Sequence, residues 1–224
     1  MERRIVRTAD GSTTIFLPEW DEHYHSKHGA LQEAYHVFIR MGLDHVRTQR
    51  SMPAISIMEI GFGTGLNAFI TLMEAERQNF QVNYTGIEAY PVSPEEVQAL
   101  NYTSSLKEAR GEEYFRLLHD SPWEESGEIT PHFRLFKKKQ FFQEIEAEDA
   151  FDLIYFDAFG ARVQPNLWTE DIFFRMFRAL KAGGTLVTYS AKGSVRRAMQ
   201  AVGFQVERLP GPPGKREMLR AKKL

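Results

Sequence analysis

The tightest constraint on this 224-residue chain is one junction, Glu59-Ile60-Gly61-Phe62-Gly63-Thr64-Gly65-Leu66-Asn67. The apolar run at 55–60 reads as a buried strand, and the residues after Gly65 read as a helix that runs to about residue 77. Three glycines between them let the backbone turn sharply and leave room for a ligand to lie against it. Thr64 is expected to cap the helix. A strand that passes directly into a helix in this way is the opening unit of a wound α/β sheet.

The remainder repeats the alternation. Strands are expected at 82–88, 132–136, 151–157, 185–189, 204–208 and 217–221. Helices are expected at 93–100, opened by Ser93-Pro94, and at 114–118, 140–147, 169–180 and 194–202. Lys181-Ala182-Gly183-Gly184 reads as a helix C-cap and turn, and residues 210–214 as a tight turn. Strands alternating with helices imply an α/β fold with a doubly wound, mainly parallel, Rossmann-like sheet covered on both faces. Before it, two β-prone runs flank Asp10-Gly11, a hairpin signal. Leu31, Ala34, Val37, Phe38 and Met41 then fall at helical spacing. Residues 1–50 are therefore expected to form a β-hairpin and helix extension packed on a core of residues 51–224, in a single domain overall.

Composition narrows the function classes. The chain has no cysteine, which excludes disulfides and thiolate metal sites. His23, His25 and His28 lack a carboxylate at ligand spacing, so no metal is expected. No run approaches the ~18 apolar residues of a membrane span, and no apolar stretch follows the basic N-terminus, so a cytoplasmic protein is expected. Net charge is −2, yet residues 191–224 hold nine Lys and Arg against two glutamates. That polarity is compatible with a phosphate-binding face, or with solvated tail and helix charges.

A glycine-rich βα turn serves NAD, FAD or S-adenosylmethionine. The spacing G-x-G-x-G differs from the dinucleotide G-x-G-x-x-G, and Glu59 suits a cationic amino-acid ligand better than a diphosphate. Glu88, ending the next strand, is placed to accept hydrogen bonds from both ribose hydroxyls. Gly61, Gly63, Gly65, Asn67, Glu59 and Glu88 are thus the expected cofactor residues, and S-adenosyl-L-methionine the expected cofactor. Asp157 ends the strand at 151–157 beside the same crevice, where it could orient an amine and accept its proton. Asp152, at the far end of that strand, reads as structural.

The ordered set GFGTGLN, FDAFGARVQPNLWTEDIF, AGGTLVTYSAKGSVRRAMQAVGF and GKREML resembles one family over nearly the whole chain. It is the methyltransferase domain of the tRNA 5-methylaminomethyl-2-thiouridine biosynthesis bifunctional proteins and their stand-alone relatives. The resemblance implies methyl transfer to the aminomethyl nitrogen of a tRNA wobble uridine. Asp157 and Phe159 are the expected catalytic residues, Asp157 also touching cofactor, and the resemblance aligns Glu33 with an acidic position that closes over the cofactor. Arg196, Arg197, Lys215 and Arg216 are expected to meet anticodon phosphates, and Phe159 and Trp168 to stack on an unstacked base. Lys138 stands where such enzymes often carry an adenine-binding acid. No second glycine fingerprint follows, so upstream tRNA-modifying enzymes are expected to supply the amine. The alternatives are a methyltransferase for a small-molecule amine and a non-catalytic RNA-binding module; an NAD-dependent oxidoreductase is disfavoured by the glycine spacing.

Overall fold

The computed structural model describes residues 2–49, 52–106 and 108–224; the expected boundary at residues 50 and 51 lies outside them. Strands β1 (Arg4–Arg7), β2 (Thr13–Leu17) and β3 (Glu22–His23) form a small antiparallel sheet, with the hairpin turning at Asp10-Gly11 as its sequence indicated. A helical run follows, from α1 (Ala30–Ala34) through a π-helical stretch (Tyr35–Asp44) to α2 (His45–Gln49). Its inward residues Val37, Phe38 and Leu43 are fully buried in the same apolar cluster as Ile57, Leu72 and Tyr155 of the main body.

The main sheet has eight strands. In chain order they are β4 (Ala54–Ile60), β5 (Gln81–Ile87), β6 (Ser126–Thr130), β7 (Phe133–Lys138), β8 (Phe151–Phe156), β9 (Leu180–Thr188), β10 (Gln205–Pro210) and β11 (Glu217–Lys222). Across the sheet the order is β10-β11-β9-β8-β4-β5-β7-β6. The five strands from β9 to β7 are parallel, and β11, β10 and β6 are antiparallel additions. Helices α3 (Leu66–Gln78), α4 (Pro94–Gln98), α5 (Tyr102–Leu106), α6 (Gly111–Asp120), α7 (Glu170–Ala179) and α8 (Gly193–Ala201) connect them. Because β5 lies on one side of β4 and β8 on the other, the chain reverses its winding at β4. In open α/β sheets that switch point, at the carboxyl ends of the strands, is where a crevice forms.

Three local expectations change. The segment at 140–147 is a single 3-10 turn, Phe142–Glu144, not a helix; only Phe142 and Ile145 turn inward, too few apolar anchors for a packed helix. Residues 181–184 belong to β9 rather than to a turn, and a register shift opposite Phe151–Leu153 absorbs them. The N-cap of α3 is Gly65 at φ 73°, while the Thr64 hydroxyl instead accepts a 3.0 Å hydrogen bond from Tyr102. Ser93-Pro94 open α4 as expected, and Glu96 completes a capping box: the Ser93 side chain accepts from Glu96 N and Glu96 accepts from Ser93 N. Ser126–Thr130 is an edge strand with no sequence counterpart in the expectation.

Gly86 in β5 tests how tightly the glycine loop seats on the sheet. A Cβ there would collide with the Phe62 ring, and Phe62 is itself buried. Gly86→Ala should cost about 1–3 kcal/mol by overpacking, lowering the melting temperature by roughly 2–4 °C per kcal/mol. Thermal denaturation checks it; an unchanged midpoint would show that Phe62 has room to move.

Candidate active site

The carboxyl ends of β4 and β8 meet tightly. Asp157 N donates to Ile60 O at 2.9 Å, and Gly61 has φ 87° with no space for a side chain, since a Cβ would stand 2.8 Å from the Asp157 carbonyl oxygen. A cavity of about 870 Å³ opens above this contact. Its floor includes Glu59, Gly61, Gly63, Asn67 and Asp157, with Glu88 on one side and Phe159 on another. The expected cofactor and catalytic residues therefore converge, apart from Gly65, which serves as helix cap, and Glu33.

Asn67 organises the floor. Its Nδ2 donates to Glu59 Oε1 and to Asp157 Oδ2, both at 2.8 Å. Glu59 is fully buried and its second oxygen accepts from Tyr84 OH at 2.9 Å. Burial, above all, raises its pKa well above the usual carboxylate range, and the negative charge of Asp157 raises it further. Glu59 therefore acts on the cavity chiefly through Asn67. Asp157 faces the opening; burial first and the Glu33 carboxylate second push its pKa up to about 7. Glu88 accepts from Gly63 N (3.0 Å) and Tyr90 N (2.9 Å), which fixes its carboxylate at the mouth.

Several wall residues carry no sequence motif. Trp20 and Tyr24, from the N-terminal sheet, pack edge-on to Phe159 with centroids 5.7 and 4.9 Å away. Arg162 holds that wall by donating to the Trp20 and Asp21 carbonyls and to Glu22. Arg3 crosses the mouth and donates to Glu96 Oε2 and to the Tyr90 carbonyl. Tyr90, Phe141, Phe142 and Gln143 complete the far side. Lys138 is not among the lining residues; its carbonyl accepts from Glu88 N, and its ammonium lies 5.8 Å from the Phe136 ring centroid.

Other expected residues are displaced from their assigned roles. Trp168 is 6% exposed, packs on Phe156, Phe173 and Tyr189, and donates from Nε1 to Phe159 O at 2.8 Å. Its ring is unavailable to a base; it positions Phe159. Lys215 is paired with Glu33, and Glu33, 7% exposed, lies behind Asp157 rather than in the cavity wall. Of the other C-terminal cations, Arg208, Arg220 and Lys223 pair with Glu217, Glu207 and Asp149. Arg197 and Arg216 are exposed and have no carboxylate partner among the described residues, and Arg196 is half-buried with its Nε unpartnered. His23 packs tilted against Phe16, His25 bonds to Thr14 and is held near pKa 4 by burial, and His28 lies against Gly214, so the three histidines face different neighbours.

Residues 132–224 match a family of S-adenosyl-L-methionine-dependent methyltransferases. Over 95% of its length the chain is 32% identical to the tRNA 5-methylaminomethyl-2-thiouridine biosynthesis bifunctional protein MnmC of Leptospira interrogans, covering 34% of that protein. The MnmC of Ralstonia nicotianae is 29% identical over 92% of the chain and 32% of its own length. The crystal structure of MnmC2 from Aquifex aeolicus superposes with a TM-score of 0.81 at 26% identity, covering 98% of this chain and 69% of that one. The chain is thus similar over residues 132–224 to an S-adenosyl-L-methionine-dependent methyltransferase family, and over nearly its whole length to the methyltransferase part of the MnmC proteins. It spans about a third of the length of the curated relatives it matches. Spermidine synthase from Thermotoga maritima, at 14% identity and a TM-score of 0.58, shares the fold.

The floor fits the cofactor of such a methyltransferase. S-adenosyl-L-methionine is cationic and rich in donors, and the cavity offers it the carboxylates Glu88 and Asp157. The amide oxygen of Asn67 is buried with no donor from the chain, an acceptor that a ligand donor would satisfy. Glu88→Ala removes the acceptor expected to take two ribose hydroxyls, worth on the order of 2–3 kcal/mol, or roughly 30- to 150-fold in affinity. Calorimetry with S-adenosylhomocysteine measures this directly; unchanged affinity would remove Glu88 from the cofactor site.

Proposed function

We propose that this methyltransferase acts on tRNA, converting the 5-aminomethyl group of a wobble uridine, with or without 2-thiolation, to 5-methylaminomethyl. The observation that carries this reading is Asp157, a carboxyl held by Asn67 in the floor of an acidic, aromatic-walled cavity, where burial pushes its pKa up to about 7. S-adenosyl-L-methionine supplies an electrophilic methyl group. The acceptor amine arrives largely as an ammonium, whose lone pair is blocked until one proton leaves. A carboxyl half-ionised near neutral pH attracts that cation and takes the proton, directly or through water. Phe159, braced by Trp20, Tyr24 and the Trp168 hydrogen bond, shapes the approach to it. Alignment of the amine with the methyl group contributes much of the rate.

The relatives named for tRNA 5-methylaminomethyl-2-thiouridine biosynthesis support the substrate, and so does the topology. Helix α8 starts where β9 ends, and β11 pairs antiparallel with β9 through Leu219–Thr188. The start of α8 and the turn before β11 therefore both lie at the carboxyl edge, beside the cavity. Arg197 and Arg216, exposed and unpaired there, are the RNA contacts we assign, with Arg196 partly available. The amine is the product of an earlier step on the same nucleoside, in the cytoplasm where tRNA is processed. Among the described residues no helix is long and apolar enough to cross a membrane.

Incubation with labelled S-adenosylmethionine and tRNA lacking the terminal methyl group should place label in 5-methylaminomethyl nucleosides on mass analysis. Label entering small amines but no nucleoside would favour the small-molecule reading instead. Replacing Arg197 and Arg216 by Gln should weaken tRNA binding and flatten its salt dependence by about one to two units of log–log slope, while cofactor affinity stays the same. An identical slope in the double variant would move the RNA face elsewhere.

A further inference from the structure

We propose that Lys215 and Glu33 form a counter-charge pair that sets the ionisation of Asp157, making Lys215 a positioning residue rather than an RNA contact. Lys215 lies in the turn between β10 and β11, and its ammonium donates to Glu33 Oε1 on α1. The same ammonium stands 3.8 Å from the centroid of the Tyr189 ring. Glu33 accepts a second hydrogen bond, from Ser26 N at 2.8 Å, and is almost wholly buried. Tyr189 in turn donates from its hydroxyl to Ala158 O at 2.8 Å, one residue beyond Asp157. Three segments remote in sequence thus close behind the catalytic carboxylate.

The charges around Asp157 can be enumerated. Glu59 on β4 reaches it through Asn67 of α3, and Glu33 faces it from α1. Tyr84 on β5, Tyr189 after β9 and Tyr102 on α5 are neutral neighbours, and Lys215 is the cation acting on it. Glu33 favours the protonated form of Asp157 by like-charge repulsion, and Lys215 opposes this. A phosphate that drew Lys215 away would leave Glu33 as a buried anion without its cation, which is costly. The pair also ties the β10–β11 turn to the N-terminal extension, beside a second tie in which His36 Nε2 donates to Pro210 O at 2.8 Å. The inference rests on Asp157 being the amine-facing carboxylate.

Carboxyl carbon NMR of aspartate-labelled, cofactor-free protein reads Asp157 directly, whether or not the tRNA reaction is as proposed. Relative to wild type, Lys215→Met should raise the Asp157 midpoint by about one pH unit and Glu33→Gln should lower it. The double variant should fall between the two singles, and Lys215→Arg should stay near wild type. In methylation assays the acid limb of the rate profile should follow the same order. The salt slope of tRNA binding should be the same in Lys215→Met and wild type. If Lys215→Met does not fold, Glu33→Gln and Lys215→Arg still decide the matter. An Asp157 midpoint unmoved in Lys215→Met or in Glu33→Gln, or a salt slope shallower by about one in Lys215→Met, would overturn the pairing role.

Discussion

The arrangement depends on one amide: Asn67 Nδ2, which donates at 2.8 Å to the carboxylates of Glu59 and Asp157 at once. Two acids at the ends of adjacent parallel strands would otherwise repel in a poorly solvated floor. The shared donor eases that repulsion without abolishing it, and both acids hold their protons more tightly than usual. The linkage to stability follows in sign. Asp157 in the unfolded chain ionises near its ordinary value of 3.8, whereas the folded chain keeps the proton to about pH 7. Between those values the folded state binds more protons, so stability is greatest at the acid end and declines as pH climbs through that window. A cation in the cavity would reverse the penalty, coupling ligand binding to ionisation.

The cavity is shared between parts of the chain far apart in sequence. The parallel strands supply the floor, as the switch point requires, but the walls come largely from elsewhere. Trp20 and Tyr24 arrive from the N-terminal sheet, tied down through Arg162, and Arg3 bridges the mouth to Glu96. The C-terminal hairpin extends the sheet antiparallel and sends Lys215 back to Glu33. The walls of the cavity are therefore set largely by the additions, while its acidic floor belongs to the wound core.

The core was legible because its signals are local. A glycine loop between an apolar run and a helix, and acids at the ends of 55–60, 82–88 and 151–157, need no tertiary information to be placed. The Ser93-Pro94 helix start and the Asp10-Gly11 hairpin are legible for the same reason. What could not be read was pairing. Lys215 is one basic residue among nine in its stretch, and nothing nearby in sequence indicates that Glu33, 182 residues earlier, takes its charge. Trp168 has a polar edge that suits either a base or a backbone carbonyl, and only the fold brings Phe159 O to it. Arg3, Trp20 and Tyr24 carry no motif, so only the path of the extension reveals them as cavity walls. The segment 140–147 reads as a helix, yet its two inward anchors, Phe142 and Ile145, sustain only one turn.

The central claim is that the acidic floor is completed by a cationic ligand at the expense of the Asp157 proton. Calorimetric titration of S-adenosylmethionine in two buffers of different ionisation enthalpy measures the protons released. Roughly half a proton should be released at pH 7 and close to none at pH 9, where Asp157 is already ionised, with the release at pH 7 abolished in Asp157→Asn. Binding without proton release at pH 7, or release that persists unchanged in Asp157→Asn, would contradict it.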